Sequence, residues 1–304
     1  MERIGPFHPS LCFLQEKTMS QFLEDLKAFC LKNDYRVYSI GEIKDGGAAE
    51  QIDVVPGNAC QNGYSVAKLF TVTAIGLLYD QGEISPRDRV VELLGSACPA
   101  YTDPRWERVT VHHLLKHSSG LPGGCLDIDV LNANDFGEDY LQYLFTLPLI
   151  ADPGEKEAYS DGSFYLLSCL VQHLTGECLL SFLWRELFFP LGVREAAWSC
   201  CPMGRSIGAT GLYMRSDDTA KLGELYRSGG VYQGKRYLSE EWVKLAKEQE
   251  YELHPTDVGR LYGKGGMCGQ KLFIDPDHDR VVAYHAYVEV DAEAIERFTY
   301  YYED

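Results

Sequence analysis

Strand-forming segments lie near both ends of this 304-residue chain, and helix-forming segments fill its middle. Two apolar runs on either side of Gly46-Gly47, the first over residues 35–43 and the second ending at Val55, predict a β-hairpin. Residues 271–274 and 281–287 predict two further strands around an aspartate-rich turn. We therefore expect one antiparallel sheet built from both ends of the chain, with a helical region inserted between them.

The segments between the strands carry apolar residues at helical spacing. Helices are predicted at about 20–33, 66–80, 111–115, 163–175, 178–188, 216–228, after Ser239 and at about 291–303. The predicted fold class is α/β (α+β), an antiparallel sheet flanked by helices with an inserted all-helical lobe. We expect a single domain over residues 1–304, with a sheet lobe at about 20–58 and 255–304 and a helical lobe at about 85–200.

Composition narrows the range of partners and locations. The content of 45% apolar and 24% charged residues is that of an ordinary folded protein. A net charge of −17 argues against nucleic acid or an anionic membrane as a partner, and no long apolar stretch predicts a membrane span. Residues 1–10 lack the pattern of a secretory signal, and the ten cysteines are irregularly spaced. We therefore expect free thiols and a cytoplasmic protein that acts on a small molecule, with its oligomeric state open.

The sharpest feature is a Ser-x-x-Lys motif formed by Ser65 and Lys68, where a turn gives way to an apolar helix. Residues three apart lie on one helical face, and the helix N-terminus favours negative charge at the serine. Desolvation favours the neutral form of the Lys68 amine, which can then accept the serine proton. The alternative is a serine that caps the helix beside a solvated lysine.

A second motif, Tyr-x-Asp, is formed by Tyr159 and Asp161 in the loop before the helix predicted at Ser163. Two loop residues at this spacing can point into one cleft. A phenol beside a lysine cation is expected to have a lowered pKa and to serve as a general base. The alternative is a core tyrosine next to an aspartate that caps the helix.

A third motif opens a predicted strand late in the chain and consists of Lys264, Gly265, Gly266 and Met267. Because glycines carry no side chain, a substrate can lie along the strand edge, where backbone N–H groups can face an oxyanion. The alternative is a flexible hairpin loop.

The order of these motifs resembles that of the serine β-lactamases and penicillin-binding proteins. The most similar branch contains the class C β-lactamases, D-Ala-D-Ala carboxypeptidases, D-aminopeptidases and related serine esterases. Residues 110–122, 153–176 and 273–276 are also similar to the connecting segments of that family. The resemblance covers roughly residues 35–290, and three ordered motifs are far more specific than one.

The resemblance implies a role for each motif residue. Ser65 would be the acylated nucleophile, Lys68 its proton partner, and Tyr159 the base that passes a proton to the leaving group. The backbone N–H groups of Ser65 and Met267 would form the oxyanion hole, and Lys264 would line the site electrostatically. No metal and no cofactor are implied.

Two residues depart from the family pattern. Asp161 stands where the family usually has asparagine, and a carboxylate can only accept hydrogen bonds. It should therefore hold Lys68 more cationic, repel anionic substrates and favour a substrate that offers an N–H or an ammonium group. Gly265 replaces a hydroxyl residue that helps to bind a substrate carboxylate. Both departures weaken the case for a β-lactam or D-Ala-D-Ala substrate.

We expect a serine hydrolase that acts through an acyl-enzyme on Ser65, most simply on an ester, a small amide or a peptide. A β-lactamase or D-Ala-D-Ala carboxypeptidase is one alternative. The others are a catalytically inactive binding or sensor protein on the same scaffold, and an acyltransferase. His113 and His117, four residues apart on a predicted helix, could bind zinc, but the sequence order of a zinc hydrolase is missing. We expect structural histidines there and no metal site.

Overall fold

The structure is a computed structural model that describes residues 19–288 and 290–304. Its strands are β1 (Val37–Lys44), β2 (Glu50–Asp53), β3 (Gln61–Asn62), β4 (Ala196–Trp198), β5 (Leu212–Met214), β6 (Val231–Tyr232), β7 (Lys235–Arg236), β8 (His254–Pro255), β9 (Tyr262–Gly266), β10 (Gln270–Asp275) and β11 (Arg280–Ala286). Its α-helices are α1 (Gln21–Lys32), α2 (Ala67–Asp80), α3 (Val90–Leu94), α4 (Val111–Leu115), α5 (Tyr140–Thr146), α6 (Asp161–Thr175), α7 (Leu179–Leu183), α8 (Ser216–Arg227), α9 (Glu240–Glu248) and α10 (Ala292–Tyr300).

Both ends of the chain contribute to one six-stranded sheet with the order β2-β1-β11-β10-β9-β8. Every neighbouring pair in this sheet is antiparallel. The predicted fold class, an antiparallel sheet with an inserted helical region, is therefore confirmed. The lobe boundaries proposed from the sequence remain a prediction.

The side chains of strand β11 pack into apolar clusters on both faces of the sheet. All seven of its residues are buried, and successive side chains point to opposite faces. Val281 and Ala283 belong to the large apolar cluster on the α8 side, whereas Val282 and Tyr284 belong to a second cluster with residues of α1 and α10. The sheet is thus a middle layer, which fixes the positions of β9 and β10 from two sides.

Helix α2 runs through the large apolar cluster, and twelve of its fourteen residues are buried. It packs against α6, α7 and α9. At Gly76 a Cβ atom would lie 2.2 Å from the Trp242 indole nitrogen, so this crossing with α9 requires glycine. The N-terminal end of α2 is therefore rigidly placed, and the start of α6 and the end of β9 meet it there.

No single helix among the described residues is both long and apolar enough to cross a membrane. One bent pair, Asp161–Thr175 with Leu179–Phe188, meets the length and composition needed only when its two parts are taken together. The prediction made from residues 1–10 lies outside the described part of the chain.

Candidate active site

The predicted nucleophile lies at a strained turn before α2. A short 3-10 helix over Tyr64–Val66 runs directly into α2, and Ser65 is at its centre. Tyr64 has a φ of 45°, in the left-handed region that non-glycine residues rarely adopt. The side-chain oxygen of Asn62 accepts a hydrogen bond from the Tyr64 N–H at 2.9 Å and holds this conformation. The turn presents the Ser65 hydroxyl to the cleft.

Lys68 lies one helical turn after Ser65 and is completely buried. Its ammonium group donates to Ser65 Oγ at 3.1 Å, to Asp161 Oδ1 at 2.7 Å and to the carbonyl oxygen of Ala209 at 3.0 Å. Three acceptors match the three protons of an ammonium group. The arrangement therefore favours a charged Lys68, as expected from the carboxylate of Asp161, over a neutral amine that could accept the serine proton.

Asp161 reaches Lys68 because of how α6 begins. Ser160 is the helix cap, since its hydroxyl oxygen accepts from the Ser163 N–H at 3.2 Å. Asp161 is the first helical residue, and it is not the cap that the alternative interpretation required. Only 5% of Asp161 is exposed, so its charge is available mainly to Lys68.

Tyr159 is the second residue whose side chain contacts the hydroxyl of Ser65. Its hydroxyl donates to Ser65 Oγ at 2.8 Å, and Lys68 Nζ lies 4.6 Å from the centre of its ring. Although 46% of the residue is exposed, burial of the phenol raises its pKa to about 12, and Lys264, which acts to lower it, does not offset this. The expectation of a lowered pKa is therefore wrong, because desolvation outweighs the nearby cation.

Strand β9 passes close to the nucleophile, and the close approach requires glycine at position 266. A Cβ atom at Gly266 would lie 2.5 Å from the carbonyl oxygen of Gly63 and 3.2 Å from the backbone nitrogen of Ser65. At Gly265 a Cβ atom would meet nothing closer than 3.8 Å. Met267 follows directly and is 41% exposed. The oxyanion hole formed by the N–H groups of Ser65 and Met267 remains a prediction.

Lys264 reaches the site from the middle of β9. Its Nζ lies 3.4 Å from the Tyr159 hydroxyl. The same ammonium group forms an ion pair with Glu252, whose side chain is 1% exposed. Burial acts to raise the pKa of Glu252, but Lys264, His117 and His254 hold it well below its usual range. Lys264 therefore enters the site with its charge already matched by a buried carboxylate.

Glu252 and His117 were not predicted to belong to the site. His117 Nδ1 accepts from the Ser160 N–H at 3.1 Å, so the proton is on Nε2, which donates to Glu252 Oε1 at 2.8 Å. The His117 ring lies 4.4 Å from that of Tyr159, centre to centre. Glu252 follows α9 in a segment with no periodic pattern, and only the fold brings it to Lys264.

The prediction that His113 and His117 share one face of a helix is wrong. Helix α4 ends at Leu115, and His117 has a φ of 52° beyond its end. The His113 ring instead accepts from the Thr110 N–H at 3.2 Å and takes part in capping the same helix. The two histidines therefore have separate structural partners, as the preferred interpretation had it.

A group of three acids includes Asp161. The carboxylate oxygens of Asp127, Asp129 and Asp161 are all within 4.8 Å of one another. Burial raises the pKa of Asp129, while a hydrogen bond from Thr210 acts to lower it. One member of this group, Asp161, forms an ion pair with Lys68. The expectation that no metal is bound here stays a prediction.

Comparison with known proteins gives the family. The family model described as Beta-lactamase matches residues 55–301. The chain therefore belongs to the beta-lactamase family, in agreement with the resemblance seen in its motifs.

Curated relatives are similar over only part of their length. The 6-aminohexanoate-dimer hydrolase of Paenarthrobacter ureafaciens is 24% identical over 72% of this chain and 64% of its own. The D-alanyl-D-alanine-carboxypeptidase/endopeptidase AmpH of Escherichia coli K12 is 27% identical over 67% of this chain and 57% of its own. The N-acetylmuramyl-L-alanine amidase of Bacillus subtilis is 27% identical, and the match spans 30% of that protein. The chain thus spans less than two thirds of these relatives.

Solved structures share the fold. A family VIII carboxylesterase superposes with a TM-score of 0.73 at 15% identity, over 92% of this chain and 95% of its own. The D-amino acid amidase of Ochrobactrum anthropi SV3 superposes with a TM-score of 0.70 at 15% identity, over 92% of this chain and 98% of its own. At these identities the superpositions show a common fold and leave the activity open.

Proposed function

We propose that this protein is a serine hydrolase that forms an acyl-enzyme on Ser65 and acts on an ester or a small amide. One observation carries the proposal: Ser65 Oγ is contacted at once by Lys68 Nζ at 3.1 Å and by the Tyr159 hydroxyl at 2.8 Å. A hydroxyl beside a cation and a phenol is the arrangement that an activated serine nucleophile needs.

Acylation begins when Ser65 Oγ attacks the carbonyl carbon and its proton passes to the Tyr159 oxygen. The phenolate form of Tyr159 is the acceptor; Lys264 and the hydrogen bond with Ser65 favour it, whereas burial and the charges of Glu252 and Asp161 oppose it. The carbonyl oxygen gains negative charge and is bound by the N–H groups of Ser65 and Met267. Tyr159 then gives the proton to the leaving group as the carbonyl–leaving-group bond breaks. In deacylation a water molecule attacks the acyl carbon and passes a proton to Tyr159. The bond between the acyl carbon and Ser65 Oγ then breaks, and Ser65 Oγ takes this proton.

Lys68 acts as a fixed cation in this scheme. It holds the serine oxygen by donating a hydrogen bond to it, and its charge stabilises the alkoxide that develops on attack. Asp161 and the Ala209 carbonyl oxygen keep the ammonium group in place. The proton shuttle is thereby assigned to Tyr159.

The charges in the site favour a substrate without a carboxylate beside the scissile bond. Among the described residues, both site lysines have a buried carboxylate partner, Asp161 for Lys68 and Glu252 for Lys264. Gly265 adds no hydroxyl where one could hold a substrate carboxylate. An anionic substrate would meet Asp161 without a free cation in return.

A substrate panel tests the proposal. Short p-nitrophenyl esters, D-amino acid amides and nitrocefin are assayed side by side with the purified protein and with Ser65→Ala. We expect ester or amide hydrolysis that is lost in Ser65→Ala. Nitrocefin turnover far above the other substrates would favour a β-lactamase instead. No turnover of any substrate, with no labelling by a fluorophosphonate probe, would favour an inactive binding protein.

We also propose that the protein works in the cytoplasm. The nine cysteines that the structure describes are all free thiols, which suits a reducing compartment. Fractionation of cells that make the protein naturally would test this. Recovery in the cytosolic fraction is expected, and recovery outside the cell would contradict it.

A further inference from the structure

A cavity of about 240 Å³ lies beside Tyr64 and Cys268 and has no part in the proposed acylation and deacylation steps. Two of its lining residues are neighbours in sequence of the site residues: Tyr64 precedes Ser65, and Cys268 follows Met267. The cavity is thus lined by residues adjacent in sequence to the two whose N–H groups are the predicted oxyanion hole. A carbonyl group bound at Ser65 would have one of its two substituents directed toward this space.

Four of the nine residues that line the cavity are tyrosines: Tyr38, Tyr64, Tyr213 and Tyr287. The rings of Tyr38 and Tyr287 have centres 4.6 Å apart and are tilted by 41°. Tyr213 and Tyr287 are each 42% exposed, so the cavity opens to solvent. These two rings therefore pack against each other and form one aromatic surface, on which a planar ring can stack or which it can meet edge-on.

The lining is uncharged. Among the described residues that line the cavity there is no lysine, arginine, aspartate or glutamate. Gln270, which is 2% exposed, uses its side-chain oxygen to accept from the Ala286 N–H at 3.3 Å and to contact His285 Nδ1 at 2.8 Å. Burial, followed by a hydrogen bond with Cys268, raises the pKa of Tyr64 to about 12, so this wall is neutral at any working pH. A charged group would therefore be desolvated here without a partner.

The backbone holds two of the walls in place. Tyr64 and Cys268 have φ values of 45° and 58°, in the left-handed region that non-glycine residues rarely adopt. Both strained residues line the same cavity and flank the site from two different elements. Such strain is maintained when the surrounding structure fixes it, and it is common where a ligand is held.

We propose that this cavity binds the acyl part of the substrate and that it selects a flat, neutral aryl group about the size of phenylacetyl. An engineered apolar cavity of about 150 Å³ holds benzene, so 240 Å³ has room for one ring and a short linker. The inference rests on the hydrolase function proposed above.

The position of Tyr159, which gives a proton to the leaving group, indicates on which side of Ser65 each half of the substrate lies. Tyr159 must reach the leaving group, and its hydroxyl lies 3.4 Å from Lys264, at the start of the segment that ends at Cys268. The leaving group therefore lies toward Lys264. The acyl substituent is left on the opposite side, where the tyrosine-lined cavity begins.

A series of p-nitrophenyl esters with one common leaving group tests this. The acyl groups are acetyl, phenylacetyl and hemisuccinyl. We expect kcat/KM for phenylacetyl to exceed that for acetyl by about tenfold or more, the gain expected from burying an aromatic ring. The hemisuccinyl ester should be the poorest of the three because its carboxylate finds no partner. Equal values for acetyl and phenylacetyl would overturn the proposal.

Variants at Tyr213 test whether the cavity causes the preference for phenylacetyl over acetyl. Tyr213→Ala removes a wall, and we expect the phenylacetyl-to-acetyl ratio to fall by about fivefold or more, whereas Tyr213→Phe should keep it. An unchanged ratio in a folded Tyr213→Ala protein, as judged by thermal unfolding, would overturn the assignment of the cavity. Fluorophosphonate labelling separates the two proposals: labelled protein without aryl preference contradicts only the acyl pocket, whereas absence of labelling contradicts the hydrolase function.

Discussion

The Nζ atom of Lys68 lies 2.7 Å from Oδ1 of Asp161, and both side chains are almost completely buried. The pair joins α2 to α6 across the centre of the site, beside Ser65. Charges that are buried this deeply stabilise a protein only when each keeps its partner. The contact is therefore both a structural link and the source of the fixed cation next to the nucleophile.

Replacing Asp161 by asparagine should destabilise the fold measurably. The Lys68 ammonium would lose the carboxylate that it contacts while staying buried, so we expect the free energy of unfolding to fall by about 3 kcal/mol. Chemical denaturation measures it. Asp127→Asn is the matched control, because Asp127 belongs to the same acidic group without an ion pair to Lys68, and a change below about 1 kcal/mol is expected there. Equal effects of the two substitutions would contradict the importance of the pair.

The raised pKa of Tyr159 predicts a rate that increases with pH. Below its pKa of about 12 the phenol is protonated and cannot accept the serine proton, so the reactive fraction grows as pH rises. We expect kcat/KM for a neutral ester to increase about tenfold per unit between about pH 7 and pH 10. Tyr159→Phe should lower the rate by about a thousandfold. A plateau reached below about pH 8 would indicate a different base.

Glu252 sets the charge that a substrate meets at Lys264. Glu252→Gln should leave the lysine with an unmatched charge that can pair with an anionic substrate. We expect the kcat/KM for an ester whose leaving group carries a carboxylate, such as 4-carboxyphenyl acetate, to rise about tenfold relative to that for phenyl acetate. Glu250→Gln is the control, because this exposed neighbour does not contact Lys264, and its ratio should stay constant. A ratio that does not change in Glu252→Gln would show that Lys264 does not face the substrate.

Two adjacent glycines should respond differently to alanine. A methyl group at Gly266 would press on the Gly63 carbonyl oxygen at 2.5 Å and displace the backbone beside Ser65. A displacement of about 1 Å can cost about a hundredfold in rate, and we expect a loss of that size in Gly266→Ala. Gly265→Ala has open space around it, so its loss should be at least tenfold smaller. Similar losses in both variants would contradict the close approach of β9 to the nucleophile.

Much of the fold could be predicted from the sequence because its signals are local. The alternation around Gly46-Gly47 predicts the β1–β2 hairpin, and the spacing of apolar residues after Ser65 predicts α2, which the structure has at Ala67–Asp80. The motifs also indicated that Ser65, Lys68 and Tyr159 act together, and the side chains of Lys68 and Tyr159 both lie within hydrogen-bonding distance of Ser65 Oγ.

Other features of the site depend on tertiary contacts, which a local sequence pattern does not predict. Glu252 becomes part of the site only when the segment after α9 folds against β9. His117 leaves its helix because its ring is held by the Ser160 N–H and by Glu252. The pKa of Tyr159 was predicted with the wrong sign, since a sequence shows the nearby lysines but not the burial of the phenol.

The most direct test of the account is the intact mass of the protein during turnover of an ester. Rapid acid quenching in the presence of p-nitrophenyl butyrate, followed by mass spectrometry and peptide mapping, detects a covalent acyl group. We predict one butyryl group per chain, located on Ser65 and absent from Ser65→Ala. An adduct on another residue, or ester turnover that persists in Ser65→Ala, would contradict the proposed mechanism.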